Sequence, residues 1–258
     1  MKNIPILLLC FLLCVSTRSQ AQKNTVASGG LATGTGGSAT YSVGQVDFKW
    51  IHDVGGSASQ GVQQVYLLKL NLKTYLQGYY TGSGFMNPTL ANQGLSNPLT
   101  ETDTLTIELH AINPPYAMMH SYQGVIKIDG SMIGVFENVS QGSMYYIVLK
   151  HRNSIETWSS LPVTMTNSVY DFTSSSSQSY ADNAIEVEPG VYAMCSGDIN
   201  QDGFIDSFDF PALDTDIFNG VSGVYTNTDL NGDGFVDSFD FPVFDANSYN
   251  GVSVIKPQ

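Results

Sequence analysis

Near its C-terminus the chain writes almost the same phrase twice, GDINQDGFIDSFDFPALD over residues 197–214 and TDLNGDGFVDSFDFPVFD over residues 228–245. Aligned at an offset of 31, residues 197–222 and 228–253 agree at sixteen of 26 positions, which makes this an internal duplication. The polar residues recur in register. Asp198, Asn200, Asp202, Gly203, Asp206 and Asp209 of the first copy match Asp229, Asn231, Asp233, Gly234, Asp237 and Asp240 of the second. They take positions 1, 3, 5, 6, 9 and 12 of a twelve-residue calcium loop. Calcium takes roughly six to eight hard oxygen ligands, and oxygens at alternate positions of a tight loop converge on one point. Glycine at position 6 permits a turn that a β-carbon would block. Phe204 and Phe235, at position 7, offer backbone carbonyls. Ile205 and Val236, at position 8, are apolar, as expected if the two loops pair back to back through a short strand contact. The expectation is two calcium ions, one held by Asp198, Asn200, Asp202, Phe204, Asp206 and Asp209 and one by Asp229, Asn231, Asp233, Phe235, Asp237 and Asp240.

No amphipathic helix precedes either loop; GVYAMCSG and GVYTNT read as strand and turn. Each unit is a loop followed by one short helix, SFDFPALDTDIF or SFDFPVFDANSY. Pro211 and Pro242 fall near the helix starts, and Asn219-Gly220 and Asn250-Gly251 close them. Position 12 is aspartate where the common EF-hand has glutamate. Such a duplicated loop–helix unit resembles the type I dockerin over residues 196–258. The resemblance implies a pseudo-twofold pair around two calcium ions that plugs into a cohesin domain. It places partner choice at loop positions 10 and 11, here Ser207-Phe208 and Ser238-Phe239, and along the helices. The phenylalanines, with no Lys or Arg in either helix, point away from a clostridial-type cohesin. The near-identity of the copies implies docking in two orientations. The alternative is calcium as a structural staple for a small module that has no disulfide.

Charge agrees with a cation partner. The net charge is −13, and the stretch from Ser196 onward holds eleven aspartates against the single Lys256. Such a tail repels phosphate backbones and excludes a nucleic-acid partner. The opening MKNIPILLLCFLLCVSTRSQAQ reads as a secretory signal peptide over residues 1–21, with Lys2, an apolar run from Ile4 to Val15 and the small-x-small Ser19-Gln20-Ala21. That run is too short for a permanent membrane span, and no other stretch suits one. The expected location is extracellular or at the cell surface, with the periplasm as the other compartment a signal peptide allows. Cys10 and Cys14 belong to the peptide, so Cys195 is left without a disulfide partner and is expected to be a small buried residue.

Residues 22–66 are rich in Gly, Ser and Gln, and Val46, Phe48 and Trp50 alternate with polar residues, predicting one or two short hairpins. Within them TYSVGQV and SQGVQQVY resemble glycine-rich segments of type IX-secreted proteins. Over residues 67–195 Leu105, Ile107 and Leu109 alternate with polar residues. VIKID, MIGVF, MYYIVLK, SVYDF and AIEVEPGVYAM follow between turn residues. Many short strands at regular intervals predict a β-sandwich. Tyr145, Ile147 and Leu149 should enter its core, with Tyr146 and Val148 on the opposite face, and Asn87-Pro88 and Asn97-Pro98 mark a long, mobile loop. A strand, a DG turn, a strand and then NVSQGSMYYIVLK resemble the prealbumin-like sandwiches found beside carboxypeptidases and in bacterial surface proteins. The fold class is therefore mostly β, an immunoglobulin- or prealbumin-like β-sandwich followed by a small α module of two EF-hand-like loop–helix repeats.

Catalytic signatures are missing: there is no HExxH, GxSxG, CxxC or Walker loop. His52, His110, His120 and His151 are isolated in sequence and expected at the surface or at strand edges. Glu101, Asp103, Glu108 and Glu156 are the carboxylates from which a glycosidase would draw a pair, but sequence does not give their separation. The expectation is a non-catalytic exported protein that docks, with calcium, to a cohesin-like receptor. The resemblance implies a polysaccharide-degrading or cell-surface assembly as its setting. The alternative is a carbohydrate-binding or adhesive surface protein whose calcium is structural. In that case Trp158 and Tyr79-Tyr80 would offer stacking faces to a polysaccharide, where the competing role for Trp158 is to cap the core.

Overall fold

The computed structural model describes residues 28–34, 37–43, 49–53, 56–60, 67–95 and 99–258. The chain divides into two units, Met1–Val65 and Tyr66–Gln258. In the first unit β1 (Ser28–Gly34) pairs antiparallel with β2 (Gly37–Val43), and β3 (Lys49–Asp53) with β4 (Gly56–Gln60). These are the short hairpins that the composition predicts. Trp50 lies in β3, whereas Val46, Phe48 and residues 1–21, where a signal peptide is expected, lie outside the described residues.

The second unit opens with β5 (Leu67–Lys73), β6 (Tyr80–Gly82), β7 (Phe85–Met86) and the one-turn helix α1 (Thr89–Asn92). The long strands β8 (Glu101–His110), β9 (Met118–Lys127), β10 (Ser131–Glu137) and β11 (Met144–His151) follow. Next come β12 (Ser154–Trp158), β13 (Val163–Thr164), β14 (Val169–Asp171), β15 (Ile185–Glu188) and β16 (Val191–Ala193). One sheet has the order β12-β11-β8-β9, with β13 also paired to β11; the other has the order β10-β5-β14, with β14 parallel to β5. The period-two alternation of strand side chains sends one row from each sheet inward. Leu68, Leu70 and Leu72 of β5 and Met132 and Phe136 of β10 meet Leu105, Ile107 and Leu109 of β8 and Ile147 and Leu149 of β11. Tyr145 packs against this core, half-buried. Burying each such aliphatic or aromatic side chain contributes about 1.5–3 kcal/mol.

The opposite face of β11 carries the expected pair. Tyr146 and Val148 join Trp158 in a second small cluster, packed against Tyr116 and Tyr180. The Tyr146 and Trp158 rings meet edge to face at 5.8 Å. Trp158 keeps only 4% of its surface and Tyr79 is fully buried, so neither presents a stacking face. Two other expectations are corrected. His110 and His151 sit at strand ends but are buried, because each finds polar partners there. His110 bonds Tyr116 O at 2.7 Å and Glu108 Oε2 at 2.8 Å, and His151 bonds Asn153 Oδ1 at 2.9 Å. Asn87-Pro88 is not a mobile loop: Pro88 leads directly into α1, and Asn87 and Thr89 are hydrogen-bonded to the second acidic repeat. Asn97-Pro98 lies outside the described residues. Cys195 is buried, and burial pushes its thiol up to about 12, which leaves it inert.

The duplicated phrase forms α2 (Phe210–Asn219) and α3 (Phe241–Tyr249), each after its loop. Ile199, Ile205 and Leu213 of the first repeat share a core with Leu230, Val236 and Phe244 of the second, completed by Ile155 and Cys195 from the sandwich side. Both helices begin later than the serines at which the sequence pattern starts. Asp209 and Asp240 stand at their N-caps but make no capping bond, because their side chains turn back into the loops. Among the described residues no helix is long and apolar enough to cross a membrane.

Candidate functional site: paired acidic loops and an aromatic face

Each loop is gathered around its last aspartate. Asp209 accepts from the backbone N–H of Ile199 at 2.8 Å, Asn200 at 3.0 Å and Asp206 at 3.0 Å. Asp240 repeats this with Leu230 at 2.7 Å, Asn231 at 3.0 Å and Asp237 at 2.9 Å. The next polar residues stiffen the chain in turn. Asn200 Oδ1 accepts from Asp202 N at 2.8 Å and Asp202 Oδ1 from Phe204 N at 3.0 Å. Asn231 and Asp233 do the same at 2.8 and 2.9 Å. Gly203 and Gly234 turn the chain with φ of 89° and 90°, the left-handed region that favours glycine.

Among the described residues no Lys, Arg or His makes a direct ion pair with the carboxylates inside these loops. Burial first, and then the neighbouring Asp209, push Asp198 up to about 6. Burial and Asp240 push Asp229 up to about 7, and burial raises Asp240 as well. Asp198 Oδ1 is buried without a hydrogen-bond partner. An unpartnered buried carboxylate oxygen is costly, and a divalent cation would relieve both that cost and the mutual repulsion. The donors are all oxygens, which suits calcium or magnesium and not zinc. Among the described residues no three His, Cys, Asp or Glu side chains make a metal cluster by themselves. Asn200, Asn231 and the carbonyls of Phe204 and Phe235 would therefore have to complete the two shells.

One expectation fails here. The loops do not pair with each other through position 8. Phe204 bridges Ser253, with Ile205 N donating to Val252 O at 2.9 Å; Phe235 bridges Ser222, with Val236 N donating to Val221 O at 2.8 Å. Each loop pairs with the segment that follows the other repeat's position in the fold: the first loop with the tail after α3, the second with the link after α2. Ile205 and Val236 are apolar because they enter the shared core beneath these contacts.

The residues expected to meet a partner all face outward: Ser207 and Ser238 are exposed, and Phe208 and Phe239 show 75% and 73% of their surface. Phe218 and Tyr249, at the far ends of the helices, show 89% and 90%. Phe210 and Phe241 meet edge to face at 5.9 Å, and Phe210 stacks on Phe244 at 6.0 Å. The matched exposures of equivalent residues show that the two copies present the same side chains outward. Large exposed apolar patches identify interaction surfaces.

Sequence reading missed one cluster entirely. Asp103 is buried between Arg152, which ion-pairs with it, and His151, at 3.3 Å. Burial opposes the Asp103 charge, but the His151 hydrogen bond and the Arg152 charge outweigh it and hold the carboxyl well below the usual range. Burial holds the His151 imidazole low, in its neutral form. The HRN run closing a buried strand was the one available signal, since charged residues enter a core only when paired. Glu108 and Glu156 share Lys150 at 3.4 and 3.1 Å.

The type I dockerin domain family matches residues 196–244. The C-terminal module is type I dockerin-like. No curated protein matches the chain. Among solved structures, a C-terminal interface mutant of a type II cohesin–X-dockerin complex from Acetivibrio cellulolyticus is 14% identical, with 72% of this chain and 97% of that chain covered and a TM-score of 0.43. An N-terminal interface mutant of such a complex from the same organism is 15% identical, with 69% and 95% covered and a TM-score of 0.39.

Proposed function

We propose that this protein is an exported, non-catalytic docking protein whose C-terminal module, loaded with two calcium ions, engages a cohesin-like receptor. The observation that carries the reading is the matched outward exposure of equivalent aromatic residues in the two copies, Phe208 with Phe239 and Phe218 with Tyr249, on a module of the dockerin type. Calcium, when bound, supplies the positive charge that the two aspartate clusters lack. The chain does the rest. Asp209 and Asp240 tie both ends of each loop to the first turn of its helix, so an ordered loop fixes the helix that follows it. The fixed helices then present their aromatic residues. Neither helix carries Lys or Arg, so the receptor is met by apolar contact and by the Ser207 and Ser238 hydroxyls. Aromatic side chains of this kind commonly dominate binding energy.

The non-catalytic reading is supported by burial. Ser154 Oγ lies 3.3 Å from His151 Nδ1, and His151 Nε2 lies 3.3 Å from Asp103, in the order of a hydrolytic relay. All three are buried, and Asp103 is committed to Arg152, so no substrate reaches them. Export rests on residues 1–21, and a polysaccharide-degrading or cell-surface assembly is the setting such modules imply. The sugar-binding alternative loses its best support with the burial of Trp158.

The test is capture of residues 22–258 on immobilised type I cohesin domains, in calcium and in chelator. Binding in calcium, release by chelator, and loss in a Phe208→Ala/Phe239→Ala variant that still gives the wild-type calcium heat would support docking through this face. Undiminished binding by that variant would move the interface elsewhere. Absence of binding despite calcium heat would leave the metal as a staple.

A further inference from the structure

The two loops are near-copies in sequence and unlike in surroundings. Four side chains outside the repeats donate to the backbone carbonyls of the second loop. Asn87 Nδ2 reaches Asn231 O at 2.9 Å and Thr89 Oγ1 reaches Gly232 O at 2.5 Å. Asn153 Nδ2 and the Tyr79 hydroxyl reach Asp229 O at 2.9 and 3.4 Å. Arg152 braces them, donating to the Tyr79 hydroxyl at 2.5 Å and to Thr226 O at 3.2 Å while paired with Asp103. In the first loop the corresponding carbonyl, Asp198 O, is met only from within, by Gln201 Nε2 at 2.6 Å. Burial follows the same division: Gly232 and Gly234 are buried and Asn231 and Asp233 half-buried, while Asn200, Gln201 and Asp202 are exposed.

The sequence records this at position 4. Gln201 and Gly232 both have left-handed backbones, φ 60° and 70°. At Gly232 a β-carbon would come within 2.6 Å of the Tyr79 ring and 2.8 Å of Thr89 Oγ1. The second copy lacks a side chain there because the sandwich occupies the space.

We infer that the sandwich preorganises the second loop, with Tyr79, Asn87, Thr89 and Asn153 as positioning residues, so that the two cation sites are unequal: the second binds more tightly and releases more slowly, and the first is the site that responds to calcium supply. The inference rests on the calcium reading of both loops. A loop already held in its bound shape loses less freedom on binding, and partners behind the ligands typically change metal affinity about 10–100-fold.

Calorimetric titration of the calcium-free full chain with calcium, with stopped-flow chelator release, tests it. Two steps are expected, separated by about tenfold or more, with two release rates. Asp233→Ala removes the tighter step and Asp202→Ala the weaker. Thr89→Val, which keeps the side-chain shape and removes the donor, weakens the tighter step alone by about tenfold, and Thr89→Ser restores it. A structural role for Thr89 would not single out one step or be rescued by a hydroxyl. Two equal steps in the wild type, or a Thr89→Val loss shared by both steps, overturn the inference and leave calcium binding intact. No calcium heat at all overturns the calcium reading, and the inference with it. If Thr89→Val fails to fold, the two steps of the wild-type titration still decide.

Discussion

At the scale of single residues, position 4 separates the two loops. Gly232→Ala places a β-carbon against Tyr79 and Thr89 on a left-handed backbone. We expect it to cost roughly 1–3 kcal/mol by chemical denaturation in calcium, whereas Gln201→Ala, on a position that already carries a β-carbon, loses only the bond to Asp198 O, about 1 kcal/mol. Asp103 gives a prediction in pH. Its folded pKa is depressed, so the stability it contributes is full above the ordinary carboxylate range, near about 4, and is lost as pH falls from there toward its lowered value. Asp103→Asn leaves the half-buried Arg152 without its carboxylate partner, so the variant should lose about 3 kcal/mol at neutral pH. That deficit should shrink as the wild type is acidified below about pH 4. Thermal unfolding of both proteins from pH 6 to pH 3 measures it, and parallel curves would mean that the Asp103 charge does not stabilise the fold.

At the scale of elements, what was legible in the sequence was local. The alternation of Leu105, Ile107 and Leu109, and of Tyr145, Ile147 and Leu149 against Tyr146 and Val148, is decided by the strand period of two and by burial of one face. The helix ends were less legible, because the side chains of Asp209 and Asp240 had two uses, capping the helix or closing the loop, and the pattern alone does not choose. The pairing through position 8 was misread for a related reason. An apolar residue flanked by ladder-forming backbone does not name the strand it joins, and the partner lies 47 residues ahead for Ile205 (Val252) but 15 residues behind for Val236 (Val221). That pairing has a consequence for the tail. The first loop is closed by Val252 and Val254, with Val254 N donating to Gly203 O at 2.8 Å. Deleting residues 252–258 should abolish calcium binding at the first loop and spare the second, whose strand partner precedes it in the chain. Calorimetry of the truncated protein checks this; retention of both steps would show that the ladder is dispensable.

At the scale of the whole molecule, the contacts that matter most were the least legible. Tyr79 and Asp229 are 150 residues apart, and Gln77 and Asn247 are 170 apart. Polar residues scattered in turns carry no period, so nothing in their spacing announces that Asn87, Thr89 and Asn153 converge on one loop. Their convergence changes how the second unit, Tyr66–Gln258, should unfold. The core of the acidic module includes Ile155 and Cys195 from the sandwich side, and Asn247 of α3 donates to Ser196 O and to Gln77 Oε1, both at 2.6 Å. Unfolding the module alone would expose those apolar side chains and strip partners from buried polar groups of the sandwich, Thr89 and Asn153 among them. Each buried group left unsatisfied costs roughly 1–3 kcal/mol, so independent unfolding is disfavoured by more than one such increment. Scanning calorimetry of residues 66–258 in calcium should therefore show one endotherm whose calorimetric and van't Hoff enthalpies agree. Chelation should move that single transition down as a whole. A ligand at a thousand times its dissociation constant supplies about 4 kcal/mol per site, and the coupling spreads the loss over both halves. Two resolved endotherms, with only the lower one responding to chelator, would mean that the sandwich and the acidic module are separate cooperative units and that calcium holds the module alone.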